Sequence, residues 1–365
     1  MIEEHSEYWP TSAWRNADPQ TLGINPTDLL PLRQSAQEDE RIHSLLLARS
    51  GYIVFEEYYH GWSANKYHNV NSITKSVTSA LVGIALREKL ISALDQSIFT
   101  FFPEYASLGE QENRKAIHLH HLLSLTSGFQ FLGDIDTGGV DTFLEHTVSV
   151  ENILRRSVVH EPGQVFSYDD LDVHLLSLIL TRVTGMSTAN FAHTMLFEPL
   201  GIWRDEEGRP FPWKHGLASA DAPHPWGLWN EQDDLLWSVD RHGQTIGAFG
   251  LQLTTRELAK LGHLYLRQGK WDGQQIIPAE YVQASLRPYS QTGRGTDYGY
   301  CWYLPPDRRP GTFLAIGFGG QFLACFPDLD LIFAMTAYPD PNKPAAHDET
   351  LKRGLWPLLA NIQSS

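Results

Sequence analysis

The sequence predicts an α+β fold: one antiparallel sheet flanked by terminal helices, with a mainly helical lobe inserted into it. Three observations predict this. Strand-like runs stand near both ends of the 365-residue chain, helix-patterned runs fill its middle, and an amphipathic segment closes it. The simplest packing pairs the N-terminal hairpin with the C-terminal strands. Residues 1–70 and 246–365 then form the sheet region, and 71–245 the helical one.

Residues 1–40 are punctuated by Pro and Gly and turn polar from Gln34 to Arg41. Ser44 to Tyr59 reads as two strands around a Ser50-Gly51 turn, a hairpin signal. From Ser72 to about Lys89, Ile73, Val77, Ala80, Leu81, Ile84 and Ala85 recur at helical spacing, with Asn71 or Ser72 available as cap. Ile117 to Leu125 and Ser149 to Ser157 read as short helices, and Leu171 to Thr184 as a longer one ended by Gly185. Residues 203–245 are rich in Trp, Pro and Asp with little periodicity, a length of loop that is usually functional or lid-like. Thr254 to Gln268 is helical again. Strand-like runs come next at Tyr298–Leu304, Thr312–Ile316, Gln321–Phe326 and Leu331–Ala337, then a helix at Asp348–Ile362.

Composition narrows the function. At 42% hydrophobic and 19% charged, the chain reads as an ordinary globular protein. A formal charge of −15 without a Lys/Arg cluster argues against a nucleic-acid partner. No apolar run approaches the about 20 residues that span a bilayer, and residues 1–10 lack the features of a secretory signal. A cytoplasmic location is the default expectation. Cys301 and Cys325 imply no disulfide framework and read as buried thiols, with a bridge between them left open.

The chemistry centres on Ser72-Ile73-Thr74-Lys75. Residues three apart on a helix share a face, so the serine hydroxyl meets the lysine amine. Serine needs a base within hydrogen-bond reach to become a nucleophile. The spacing alone is unspecific, since about one such match is expected by chance, and Ser63-Ala64-Asn65-Lys66 is a second one. Ser63 lies in a polar turn, whereas Ser72 opens a helix with an apolar face. The competing reading of Ser72 is a capping serine followed by a solvated lysine. Phe166-Ser167-Tyr168-Asp169-Asp170 lies between a Glu161-Pro162-Gly163 turn and the Leu171 helix. From there Tyr168 could project into a cleft, where a nearby ammonium would favour its anionic form. Alternatively it is a core-edge tyrosine bonding the backbone. Gly317-Phe318-Gly319-Gly320-Gln321 sits among the last strands. A Gly-rich strand edge can aim N–H groups at a developing charge, or can be a bulge or tight turn.

These three elements, in this order, resemble those of the penicillin-recognising serine hydrolases, which include class C β-lactamases, D,D-peptidases, carboxylesterases and 6-aminohexanoate-oligomer hydrolases. The resemblance runs from about Trp9 to the C-terminal helix. It takes in His121 to Gly128, Glu161-Pro162-Gly163, Thr184-Gly185, Phe249-Gly250-Leu251 and Tyr298-Gly299-Tyr300. It implies the β-lactamase/transpeptidase-like fold, with Ser72 as acylated nucleophile, Lys75 as base or proton relay, and Tyr168 as second proton-transfer group. It also implies an oxyanion hole from the backbone N–H groups of Ser72 and Gln321, with Gly319 and Gly320 letting the strand approach. No metal or cofactor is implied.

Two positions depart from the family pattern. Asp170 replaces the usual Asn or Ser two residues after the tyrosine, placing a carboxylate near Lys75 unless it points away. Phe318 replaces the Lys or His that opens the third motif, removing the usual partner of a substrate carboxylate. With Gly319 and Gly320, these two are the candidate substrate-binding residues. Both changes tilt the expectation toward a small-molecule ester or amide and away from β-lactam or cell-wall chemistry. The alternatives are a β-lactamase or D,D-peptidase, and a non-catalytic sensor that keeps the fold.

Other signals are weaker. His118, His120 and His121 look metal-like, but no carboxylate or cysteine motif supports them. Asp134, Asp136, Gly138 and Gly139 fall short of a calcium loop. A G-x-S-x-G elbow is absent from the sequence. Trp203, Trp213, Trp226, Trp229 and Trp237 either line a cleft or pack a long loop.

Overall fold

The computed structural model describes residues 8–110, 114–132, 148–204, 214–217, 235–293, 295–340 and 345–362. The Asp134–Gly139 stretch lies outside these residues, as does most of 203–245. Within the latter, short strands Lys214–Leu217 and Leu235–Val239 pair in parallel.

Eight strands of the described chain form one antiparallel sheet. They are β1 (Ile42–Arg49), β2 (Tyr52–Tyr58), β3 (Ser290–Gln291), β4 (Asp297–Tyr298), β5 (Tyr303–Leu304), β6 (Phe313–Gly317), β7 (Gln321–Phe326) and β8 (Leu331–Ala337). Their spatial order is β2-β1-β8-β7-β6-β5-β4-β3, so the first strand lies beside the last, with Leu45 opposite Met335 and Leu47 opposite Phe333. The β1–β2 turn places Ser50 at φ 52° and Gly51 at φ 82°, the paired positive φ values with which a two-residue hairpin matches strand twist. The run read from the sequence as Tyr298–Leu304 is instead broken into β4 and β5. Between them Cys301 has φ 61°, which no strand tolerates.

Strand alternation sorts the side chains into two cores. Leu46, Ala48, Leu323, Cys325, Ile332 and Ala334 face the helical side. Leu45, Leu47, Phe322, Ala324, Phe326, Leu331, Phe333 and Met335 face the terminal helices. Both faces are covered, so these strands read as near-continuous apolar runs. One cover is α1 (Leu30–Glu38) with the C-terminal run Ala346–Thr350, Leu351–Leu355 and Trp356–Asn361, whose middle turn is π-wound. These helices touch closely, since a Cβ on Gly354 would lie 2.7 Å from Leu32 Cα.

On the other face lie α2 (Thr74–Arg87), α3 (Asp170–Thr184) and α4 (Thr255–Leu266). Helix α4 starts on a capping box, in which Thr254 accepts from Glu257 N and Glu257 accepts from Thr254 N. Helix α3 ends at Gly185 with φ 68°, the left-handed conformation glycine adopts freely. Cys301 and Cys325 are free buried thiols, so no bridge joins them. Among the described residues no helix is long and apolar enough to cross a membrane.

Candidate active site

Ser72 is placed by the short segment that leads into α2. His68–Asn69 pairs with Gln252–Leu253. The chain then turns at Asn71, whose φ is 49°. Asn71 N donates to Asn69 Oδ1 at 2.9 Å, and Asn71 Nδ2 donates to the Phe318 carbonyl at 2.9 Å. Asn71–Ile73 forms a 3-10 turn before α2 begins at Thr74, and no side chain caps that start. The expected capping role of Asn71 or Ser72 is therefore not found. The Asn71 amide is committed to the glycine-rich turn, and the Ser72 hydroxyl lies beside Lys75 Nζ at 3.0 Å. Of residues 71–85, Ser72 alone is not buried.

Lys75 is buried, with a side chain 1% exposed. Its ammonium donates to Ser72 Oγ at 3.0 Å and the Ala248 carbonyl at 3.0 Å, and forms an ion pair with Asp170 Oδ1 at 2.7 Å. It also stands 4.8 Å from the centroid of the Tyr168 ring, a cation–π distance. With Nζ as a neutral amine, the Ser72 hydroxyl can instead donate to it along the same line. Ser63 and Lys66, by contrast, are both exposed, and Lys66 Nζ lies over the Trp62 ring at 5.1 Å.

Tyr168 and Asp170 flank the first residue of an anchored junction. Asp169 is the N-cap of α3, accepting from Leu171 N at 2.9 Å. Its other oxygen pairs with the buried Arg156 guanidinium, which also reaches Asp172 Oδ1 at 2.8 Å and stacks 4.4 Å over Phe129. Ser167 N donates to the Leu125 carbonyl at 2.9 Å. Tyr168 is held within hydrogen-bonding reach of Ser72 and Tyr303. Burial, then the negative charge of Asp170, push the Tyr168 phenol well above its ordinary range. Burial and Asp170 therefore act against the phenolate that a neighbouring ammonium would favour. Asp170 does not point away. It lies against Lys75, and burial raises its carboxyl while the Lys75 charge pulls it down.

The glycine-rich turn joins β6 to β7, with Gly317 opposite Gln321. Its closest approach to the Ser72 segment is at Gly317, where an added Cβ would lie 2.3 Å from the Val70 carbonyl oxygen. Gly319 and Gly320 have φ values of 82° and 109°, and added Cβ atoms there would meet Pro339 and Ala346. They make the turn and seat it against the chain beyond β8. Gln321 is fixed by its amide, which donates to the Ala337 carbonyl and accepts from Ala337 N. Phe318 is 46% exposed at the turn's tip, a solvent-facing aromatic beside Asn71.

Residue pattern alone missed Arg156, the Ala248 carbonyl and the tie from Asn71 to the glycine-rich turn. Asn71 precedes the motif and tolerates left-handed φ better than most residues, the one available signal. The tryptophans at 203 and 237 are core residues whose indole nitrogens donate to Gln252 O and Ile246 O. Trp213, Trp226 and Trp229 lie outside the described residues. His118, His120 and His121 do place ring nitrogens within 4.8 Å of one another. However, His121 Nδ1 accepts from His118 N at 3.1 Å, so the neutral ring carries its hydrogen on Nε2. As placed, it has no lone pair to lend a metal.

A buried amine between a solvent-reachable hydroxyl and a carboxylate, with a phenol and a close-approaching strand edge beside it, is equipped for proton transfer at a serine. The chain belongs to the beta-lactamase family, whose pattern matches residues 35–354. Its relatives are hydrolases of that fold. One is the 6-aminohexanoate-dimer hydrolase of Paenarthrobacter ureafaciens, 22% identical over 92% of this chain and 84% of that protein. Among solved structures, a candidate 6-aminohexanoate-dimer hydrolase from Bacillus anthracis superposes with a TM-score of 0.71 at 16% identity, covering 98% of this chain and 91% of the other. A family VIII carboxylesterase gives 0.62 at 17% identity, covering 92% and 99%. At these identities the structural likeness speaks for the fold.

Proposed function

We propose that this protein is a serine hydrolase that cleaves a small ester or linear amide through an acyl-enzyme on Ser72. The observation that carries the reading is the 3.0 Å contact between Ser72 Oγ and the buried Lys75 Nζ, with Ser72 alone open to solvent in its segment. In its amine form Lys75 takes the hydroxyl proton as Oγ bonds to the substrate carbonyl carbon. The oxyanion is received by the backbone N–H groups of Ser72 and Gln321. The protonated Tyr168 phenol donates to the leaving alcohol or amine as its bond to the acyl carbon breaks. Water then attacks the acyl carbon by the reverse proton route and releases the acid.

The exposed Phe318 offers an apolar surface where a cation would hold a substrate carboxylate, which favours an uncharged acyl partner over β-lactams. The test is mass spectrometry after treatment with a fluorophosphonate. The adduct is expected on Ser72, and absence of any adduct there overturns the reading in favour of a sensor. Hydrolysis of p-nitrophenyl esters is expected to exceed that of nitrocefin, and the reverse order would favour the β-lactamase alternative.

A second expected result probes the oxyanion edge. Gly317→Ala places a methyl group 2.3 Å from the Val70 carbonyl, forcing the strand edge and the Ser72 segment apart. A displacement of about 1 Å at a reacting centre costs on the order of 10²-fold in rate. Esterase kcat is therefore expected to fall by about that factor while the melting transition stays cooperative. Unchanged kcat would show that this approach does not position the site.

A further inference from the structure

Asp170 Oδ1 stands 2.7 Å from Lys75 Nζ in a buried ion pair, with a side chain 10% exposed against 1% for the lysine. An acceptor-only carboxylate cannot donate a hydrogen bond to a substrate carbonyl, as an Asn at the same place could. What it does at this distance is favour the ammonium over the free amine. Yet the amine is the form that can take the Ser72 proton.

We infer that Asp170 is a positioning residue that keeps Lys75 protonated at rest and thereby sets the pH above which Ser72 becomes reactive. This rests on the proposed acyl transfer at Ser72. The proton balance is simple. In the resting pair Nζ carries three hydrogens and Asp170 none. Release of one proton to solvent leaves an amine that accepts the Ser72 hydroxyl proton as Oγ bonds to the acyl carbon or phosphorus. The ammonium re-formed is again paired with Asp170. No oxidant, metal or further reactant enters.

Other titratable groups surround the pair. Facing Asp170 are Lys75 from α2, and Asp169 and His174 on its own stretch of chain. Tyr168, and Tyr298 on β4, also lie within reach of the Asp170 charge, and the Cys301 thiol within reach of that of Lys75. His174 is itself paired with Asp240 at 3.3 Å, and burial pushes the tyrosines and the thiol upward. Arg156 neutralises Asp169 from behind. Asp170 is the carboxylate in contact with the amine.

The experiment measures the rate of fluorophosphonate labelling of Ser72 against pH in the wild type, Asp170→Asn and Asp170→Glu, each checked for a cooperative melt. Labelling requires no knowledge of the natural substrate. Asp170→Asn keeps a carbonyl oxygen for the lysine and removes only the charge. Its rising limb is expected to move to lower pH, so that near neutrality it labels on the order of tenfold faster than the wild type. Asp170→Glu, which restores the charge, is expected to keep the wild-type limb. Coincident limbs in Asp170→Asn and the wild type would overturn the inference and assign the limb to another group such as His174. A uniform loss of rate at every pH would also overturn it, reducing Asp170 to a packing role. Absence of Ser72 labelling in all three proteins would instead overturn the acyl-transfer reading beneath it.

Discussion

Ser72→Ala is expected to lower ester hydrolysis by on the order of 10⁴- to 10⁶-fold, and Lys75→Met by about 10³-fold or more. The double variant should be no slower than Ser72→Ala. A nucleophile and its base act as one unit, so once the hydroxyl is gone the amine has no proton to take, and effects that would multiply for independent groups collapse into one. Lys75→Met also isolates Asp170 in a buried place. The site then relaxes by protonating that carboxyl, which burial already raises. Steady-state kinetics on the four proteins, with melting curves alongside, check the result. Multiplicative losses in the double variant would show that the 3.0 Å contact between Ser72 and Lys75 is not a working nucleophile–base pair.

Arg156→Met is expected to destabilise the protein by about 3–5 kcal/mol, the usual cost of removing one partner from a buried charge network. The guanidinium is 1% exposed and joins Asp169 to Asp172, themselves 3% and 1% exposed. Burial and the charge of Asp169 raise the Asp172 carboxyl, and Arg156 opposes them. Without the arginine both carboxylates would be buried and unpaired. A carboxyl whose folded pKa lies above its unfolded value favours the fold at low pH and costs stability as pH rises. The deficit of Arg156→Met should therefore be largest at neutral pH and shrink toward about pH 4. Adding Asp169→Asn and Asp172→Asn should recover part of it. Urea denaturation across pH measures both, and a deficit independent of pH would point to lost packing against Phe129. Because Asp169 caps α3 beside Tyr168, activity should fall as well.

Much of the fold and part of the site were legible in the sequence, for physical reasons that can be named. The central strands were readable because terminal helices and the helical half cover both sheet faces, which leaves unbroken apolar runs. Ser72 and Lys75 were readable because helical spacing converts sequence distance directly into contact. Helix α1 was not, although Pro31 at its start is a favourable first-turn residue. The polar run after it masked a helix with only Leu32, Ser35 and Ala36 buried. The sequence offers Asn71 or Ser72 as a cap, whereas the Asn71 amide is tied to the carbonyl of Phe318, a residue remote in sequence. The surroundings of the Tyr168 phenol are hidden from the sequence for a similar reason. Proximity to a lysine follows from spacing, while the burial of the phenol and the nearby charge of Asp170, which oppose a phenolate, exist only in the folded chain.

The pairing of β1 with β8 has a consequence for how the molecule comes into being. A chain made from its N-terminus carries Ser72 and Lys75 early, yet the Gly317–Gln321 edge and the strand that seats β1 arrive much later. Pairing across so long a separation is intrinsically slow, because loop closure precedes its reward. The first hairpin must therefore wait with one edge unfilled, a state prone to pairing with the wrong neighbour. For the same reason a chain cut short before residue 313 would hold the serine and lysine but not the edge opposite them. The order of synthesis thus leaves Ser72 without the strand edge opposite it until β6 and β7 have been made.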